Sequence, residues 1–309
     1  MTIAFVSGEV EPERWLPGLA KALPGETFEA WPQVAEPAAV EIALVAAPPK
    51  GVLAKFQNLK FIQSLWMGVD GLLGDATLPE RVPIARLLDP GMIAAMGETV
   101  LARVLDWHRH LYRYRTFQAA RDWHPLPQFM AADRSVGILG LGTLGEDVTG
   151  KLLALGFNVL GWSRRAKNVP GVACFHGEPG LESMLRRTDV LVSLLPLTPA
   201  TRGIICAPTI ALMREGGCVI NVGRGPQVVE ADLLAALEAG RLSHAYLDVF
   251  ETEPLPADHP YWSHPAVTVT PHIAALTETR TALAMVAENI ARVRRGEKPQ
   301  ALVDPQAGY

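Results

Sequence analysis

An α/β architecture with two doubly wound parallel sheets, one domain inserted into the other, is what the sequence predicts. Three observations carry that expectation. Short runs of Val, Ile and Leu alternate with longer helical patterns from end to end. The runs fall into two sets separated by a long helical stretch, and a second such stretch follows the last run. Runs of four to six apolar residues between helices are the pattern of strands buried on both faces in βαβ units.

The first set of strand patterns covers residues 3–6, 42–46, 61–65 and 84–87. Residues from about 93 to 115 then carry Met96, Val100, Val104, Trp107 and Leu111 at helical spacing with few breakers, which predicts one helix. The stretch Arg121-Asp122-Trp123-His124-Pro125-Leu126-Pro127 reads as an extended loop. The second set covers 135–139, 158–162, 190–195, 218–222, 245–247 and 267–270, and residues 277–295 form the closing helix. The expected division is 1–98 for the first part of one domain and 99–273 for the inserted domain. Residues 274–309 form a helix and tail returning to the first.

Composition narrows the function classes. The 309 residues are 49% hydrophobic and 19% charged, the balance of an ordinary folded globular chain. A net charge of −4 leaves no electrostatic footprint for nucleic acid or an anionic membrane, so affinity for a small anion must be local. Cys174, Cys206 and Cys218 are odd in number and scattered, which suits neither a disulfide framework nor a zinc site. That usage fits a reducing cytoplasm. The N-terminal residues lack the basic and apolar regions of a signal peptide, and no stretch approaches the roughly 18 apolar residues of a membrane span.

The run 135–139 leads directly into Gly140-Leu141-Gly142-Thr143-Leu144-Gly145, and helical spacing follows at Val148, Leu152 and Leu155. Strand, G-x-G-x-x-G and helix together form a dinucleotide-binding fingerprint. The first glycine permits the turn, the second admits a pyrophosphate, and the third lets helix and strand pack closely. The helix N-terminus adds unpaired N–H groups and partial positive charge. This turn identifies the inserted domain as Rossmann-like and makes flavodoxin- or Rossmann-like folds the expectation for both sheets. An enzyme selective for NAD commonly carries a carboxylate for the ribose 2′-OH about 20 residues further on. Here that position reads Trp162-Ser163-Arg164-Arg165. With no carboxylate to repel a 2′-phosphate and two guanidiniums to attract one, NADP(H) is the expected cofactor, NAD(H) a weaker alternative.

Three later segments end strands of the same set: Asn221-Val222-Gly223-Arg224-Gly225, Asp248-Val249-Phe250-Glu251-Thr252-Glu253-Pro254 and Thr270-Pro271-His272-Ile273-Ala274. Ligands of open α/β sheets bind beyond the carboxyl ends of strands. An arginine, a carboxylate and a histidine suit reduction of a 2-keto acid by hydride transfer. The arginine holds the carboxylate or keto oxygen, the histidine donates a proton to the nascent alkoxide, and the carboxylate favours the protonated imidazole. A lone histidine is more often structural, so the joint occurrence of the three carries the inference.

In order and spacing these segments resemble the D-isomer-specific 2-hydroxyacid dehydrogenase family over nearly the whole chain. The resemblance implies that Arg224 binds and polarises the substrate, that His272 is the acid–base, and that Glu253 is its partner. Glu253 is preferred to Glu251 because the family's glutamate immediately precedes proline. Asp248 resembles the aspartate that orients the nicotinamide carboxamide. Leu195, Pro196, Thr201, Val222, Gly223 and Ala274, with Arg224 and His272, complete the expected cofactor contacts. Ser64-Leu65-Trp66-Met67-Gly68-Val69-Asp70-Gly71 resembles the loop that grips the substrate carboxylate, so Trp66, Met67 and Gly68 join Arg224 and His272 as substrate-binding candidates.

Within the family, Trp162-Ser163-Arg164, the segment 123–127 and the closing Val303-Asp304 … Gly308-Tyr309 most resemble the glyoxylate/hydroxypyruvate reductase A branch. That likeness implies a soluble homodimer acting on a small 2-keto acid, with no metal. Two other readings stand beside it: a non-catalytic dinucleotide-sensing scaffold, and a reductase of bulkier 2-keto acids.

Overall fold

The computed structural model describes residues 2–304 and divides into two compact units. One joins the residues up to Met92 with those from Thr277 onward; the other runs from Ile93 to Leu276. Gly308 and Tyr309, part of the branch resemblance, lie outside the described residues.

The first unit contains β1 (Thr2–Ser7), β2 (Thr27–Ala30), β3 (Val40–Ala46), β4 (Phe61–Ser64) and β5 (Ile84–Ala85), with helices α1 (Leu16–Ala22) and α2 (Asp70–Leu73). Its strands are all parallel in the order β2-β1-β3-β4-β5, a flavodoxin-like winding. The central strand β3 is almost wholly buried along Val-Glu-Ile-Ala-Leu-Val-Ala, as a strand covered on both faces must be.

The second unit opens with most of α3 (Pro90–His108), followed by α4 (Leu111–Ala120). It continues through β6 (Ser135–Leu139), α5 (Thr143–Ala154), β7 (Asn158–Ser163), β8 (Ala173–His176), α6 (Gly177–Leu185) and β9 (Val190–Ser193). Then come α7 (Ala207–Leu212), β10 (Gly217–Asn221), α8 (Glu230–Glu238), β11 (Leu242–Leu247) and β12 (Val267–Val269). The seven strands are parallel in the order β12-β11-β10-β9-β6-β7-β8, so the winding reverses between β6 and β9. That reversal is the switch point at which a Rossmann sheet receives its ligand. Both expected parallel sheets are present.

Packing follows from the sequence spacing. Val100, Val104 and Trp107 of α3 share one buried cluster with Val136 and Ile138 of β6 and Val148 and Leu152 of α5. Each such side chain contributes on the order of 2 kcal/mol by leaving water. The long helix expected over 93–115 is two helices. The chain breaks at Arg109–His110, where His110 adopts a left-handed φ of 57°, and α4 then starts with no buried residue. Beyond it, residues 122–130 have no regular secondary structure, and Trp123 is 98% exposed.

The last helix, α9 (Thr279–Arg294), returns to the first unit. There Asn289 Nδ2 donates to buried Gln63 at 2.8 Å, and Arg294 Nε donates to Glu26 at 2.6 Å. Among the described residues, no helix is long and apolar enough to cross a membrane.

Candidate active site

The glycine turn leaves β6 at the switch point. Gly140 has φ +102°, a left-handed region that favours glycine, and a β-carbon on Gly145 would lie 1.9 Å from the Gly140 carbonyl oxygen. Gly142, by contrast, faces open space: nothing lies within 4 Å of where its β-carbon would be. It is the N-cap of α5 and offers no side-chain cap, so the first-turn amides remain available to an anion. Leu141 is buried, Thr143 is exposed and Leu144 is half-buried. Two glycines are required by crowding or torsion and one leaves its backbone open to approach, which is what a pyrophosphate cradle needs.

At the end of β7, Trp162 is buried and donates from Nε1 to the Gly177 carbonyl at 2.8 Å. Its role is to anchor the strand. Ser163 Oγ donates to the Arg165 carbonyl at 2.7 Å and shapes the turn, on which Arg164 and Arg165 are exposed. A third cation that sequence reasoning missed stands nearby. Lys167 Nζ donates to the carbonyl of Leu141, inside the glycine turn, and at 2.9 Å to Glu146 Oε1. The signal was available, since Lys167 follows Arg164 and Arg165 on one short loop.

After β10, Asn221 Oδ1 accepts from Gly223 N at 3.2 Å, and its Nδ2 donates to the Arg224 carbonyl at 3.0 Å. Arg224 is half-buried, and its Nη1 donates to the Gly223 carbonyl at 2.8 Å. The next residue touches another strand end: a β-carbon on Gly225 would sit 1.9 Å from the Phe250 carbonyl carbon. Only a glycine lets the arginine turn lie against the segment after β11.

That segment carries Asp248, Glu251 and Glu253. Asp248 is 2% exposed. Its Oδ1 accepts from Thr270 Oγ1 at 2.6 Å and Ile273 N at 3.0 Å, and its Oδ2 from Ala274 N at 2.9 Å. His272 N donates to the Asp248 carbonyl at 2.8 Å. Asp248 therefore builds the turn on which His272 rides, and in that turn His272 takes a φ of +52°. Glu253, which precedes Pro254 through a cis peptide bond, accepts from Phe250 N at 2.9 Å through Oε1. Its Oε2 lies 2.7 Å from His272 Nδ1. Glu251 points elsewhere, to Arg202 at 3.2 Å. The two side chains of the Glu253–His272 pair are 35% and 51% exposed, so the ring meets solvent with one nitrogen tied.

Leu195, Val222 and Ala274 are buried beside these turns, with Gly223. Thr201 Oγ1 donates to the Pro196 carbonyl at 2.7 Å and closes the loop after β9. In the first unit Ser64 Oγ accepts from Trp66 N at 3.1 Å and donates to the Trp66 carbonyl at 3.0 Å. Leu87 N donates to that same carbonyl at 3.0 Å. Trp66, Met67 and Gly68 are half-buried on a loop whose backbone is already pinned. Among the described residues, no group of three or more His, Cys, Asp or Glu is placed to hold a metal ion.

Residues 101–274, more than half of the chain, match the model of the D-isomer specific 2-hydroxyacid dehydrogenase NAD-binding domain. A glyoxylate/hydroxypyruvate reductase A from Serratia proteamaculans is 42% identical, with both chains covered completely. One from Yersinia enterocolitica is 40% identical at the same coverage. Among solved structures, a D-isomer specific 2-hydroxyacid dehydrogenase from Xanthobacter autotrophicus in complex with NADPH superposes with a TM-score of 0.96 at 41% identity. It covers 100% of this chain and 99% of its own. The NADPH-dependent glyoxylate/hydroxypyruvate reductase of Sinorhizobium meliloti, in complex with NADP and sulfate, gives 0.94 at 38% identity and the same coverage.

Proposed function

This chain belongs to the D-isomer specific 2-hydroxyacid dehydrogenases, and from that premise we propose a cytoplasmic, NADPH-dependent reductase. Its substrate is a small 2-keto acid such as glyoxylate or hydroxypyruvate, and its product the D-2-hydroxy acid. The observation that carries the reading is the 2.7 Å contact between Glu253 and His272, on a segment that packs against the Arg224 turn.

The unit from Ile93 to Leu276 is the dinucleotide-binding domain in this reading, and the other unit is the substrate domain. Gly140–Gly145 and the α5 N-terminus would hold the pyrophosphate. Ser163, Arg164 and Arg165 would hold the 2′-phosphate, and Leu195, Pro196, Thr201, Val222, Gly223, Asp248 and Ala274 the remainder. When bound, NADPH supplies the two electrons that reduce the keto carbon. Glu253 fixes the imidazole through Nδ1, which leaves Nε2 as the atom that passes a proton to the developing alkoxide. Arg224 stabilises negative charge on that oxygen and neutralises the substrate's carboxylate. Trp66, Met67 and Gly68 are assigned to the substrate carboxylate on family resemblance.

Initial rates at pH 7, crossing glyoxylate, hydroxypyruvate, pyruvate and phenylpyruvate with NADPH and NADH, test the reading. The expected result is fast reduction of glyoxylate or hydroxypyruvate with NADPH. Preference for phenylpyruvate would move the substrate to bulkier acids; tight dinucleotide binding without turnover would replace the enzyme with a sensing scaffold.

The assembly is a homodimer in this proposal. Supporting it are α4, none of whose residues is fully buried, its exposed Leu111, and the exposed Trp123, Phe129 and Met130 that follow it. Light scattering at micromolar concentration should return twice the chain mass, and a monomeric mass would remove the dimer.

A further inference from the structure

Gln227 lies on the short turn after Arg224 and is completely buried. Its Oε1 accepts from Ser193 Oγ at 2.7 Å and from Arg224 N at 3.3 Å. Its Nε2 donates to the Leu195 carbonyl at 2.8 Å and to the Pro196 carbonyl at 3.2 Å. A primary amide has two donor hydrogens and two acceptor lone pairs, and here all are used. The partners are Ser193 at the end of β9, the loop that follows it with the cofactor candidates Leu195 and Pro196, and the loop after β10, which carries Arg224.

The backbone joins the same loops. Gln227 N donates to the Arg224 carbonyl at 3.2 Å, Ile205 N to the Gln227 carbonyl at 2.9 Å, and Gly203 N to the Pro226 carbonyl at 2.9 Å. The fit is tight enough that a β-carbon on Gly223 would lie 2.6 Å from Gln227 Oε1. An apolar side chain of similar volume could fill this space. What the amide adds is direction, because four satisfied hydrogen bonds admit one register between the loops and a missing partner is costly at such depth.

We propose that Gln227 is a positioning residue for the reaction: its amide fixes the Arg224 backbone to Leu195–Pro196, so that guanidinium and dinucleotide-facing loop hold one geometry. The proposal rests on the role given to Arg224 above. Small displacements of a substrate-holding arginine cost far more in rate than in stability, since catalysis depends on alignment of the reacting groups.

A double-mutant cycle with glyoxylate and NADPH tests it, using Gln227→Met alone, Arg224→Lys alone and both together. Alone, Gln227→Met should lower kcat/KM about tenfold or more, mostly through kcat, with the KM for NADPH within about twofold of wild type. In the Arg224→Lys background the same change should cost less than about threefold, because a residue acting through the arginine has little left to position. Equal losses in both backgrounds, or unchanged kinetics, overturn the proposal alone. A wild type without turnover, or an Arg224→Lys variant as active as wild type, overturns the underlying reading and the proposal with it. Should Gln227→Met fail to fold, Ser193→Ala removes one of the four bonds and runs the same cycle, with an expected loss of about threefold.

Discussion

Two places in the second unit set a carboxylate beside a histidine, and they do opposite things with them. At the site after β11, Glu253 and His272 meet at 2.7 Å with 35% and 51% of their side chains in solvent. On α3, Asp106 is 9% exposed and takes a bidentate bond from Arg115 of α4 at 2.7 and 2.9 Å. It takes another from the Tyr246 hydroxyl at 2.5 Å. Beside it His244, 2% exposed, is sandwiched between Tyr112 and Tyr246 with ring centroids at 4.4 and 4.6 Å. Its Nε2 faces Thr268 Oγ1 at 2.9 Å, and its buried Nδ1 has no partner among the described residues.

Residue type does not decide the outcome; water does. Burial pushes the Asp106 carboxyl up, but the hydrogen bonds from Arg115 and Tyr246 outweigh it and leave the group below its ordinary value. Burial also drives His244 down to about 4, against the pull of Asp106. The buried histidine is thereby held neutral and fixed. His272 is tied through Nδ1 and stays half in solvent, and in the proposed function its Nε2 is the atom that passes the proton.

The comparison breaks most sharply at His272. Replacement by Ala should reduce kcat by about 10²–10⁴, the range typical of a lost acid–base group, with NADPH binding within a few-fold of wild type. Comparable losses in turnover and in a fluorescence titration with NADPH would show a structural histidine instead.

The second test concerns His244 and stability. Its folded pKa of about 4 lies below the roughly 6.5 of an unfolded histidine. Between those values the unfolded chain holds more protons, so stability is complete above about pH 6.5 and declines toward pH 4, by up to about 3 kcal/mol. His108, lowered chiefly by its own burial, contributes in the same direction. Melting temperatures at pH 7 and pH 5 should differ in wild type and differ less in His244→Gln. An unchanged gap in the variant would leave the decline to other groups.

The same contrast between buried and half-exposed positions explains what was legible in the sequence. Central strands such as β3 and β9 are covered on both faces, so their apolar runs announce them. The edge strands β2 and β8, Thr-Phe-Glu-Ala and Ala-Cys-Phe-His, are only partly buried and carry no such run, and neither was anticipated. The break between α3 and α4 sits at His110 without glycine or proline to mark it.

Within the candidate site, the glycine turn, Arg224, Glu253 and His272 stand in local motifs. Gln227 could not be read in that way. Its work consists of hydrogen bonds to residues 31–34 positions earlier and to Arg224, and only the folded sheet brings those partners together.

The left-handed φ of +52° at His272 has a consequence for selection. A side chain with a β-carbon in that region costs on the order of 1 kcal/mol relative to glycine, after allowing for glycine's greater freedom when unfolded. The half-exposed bond to Glu253 returns only a fraction of that. On the proposed mechanism, position 272 is therefore one where fitness for folding and fitness for turnover pull toward different amino acids. A population screened only for survival of heat would drift toward glycine there, and would gain robustness as it lost its chemistry.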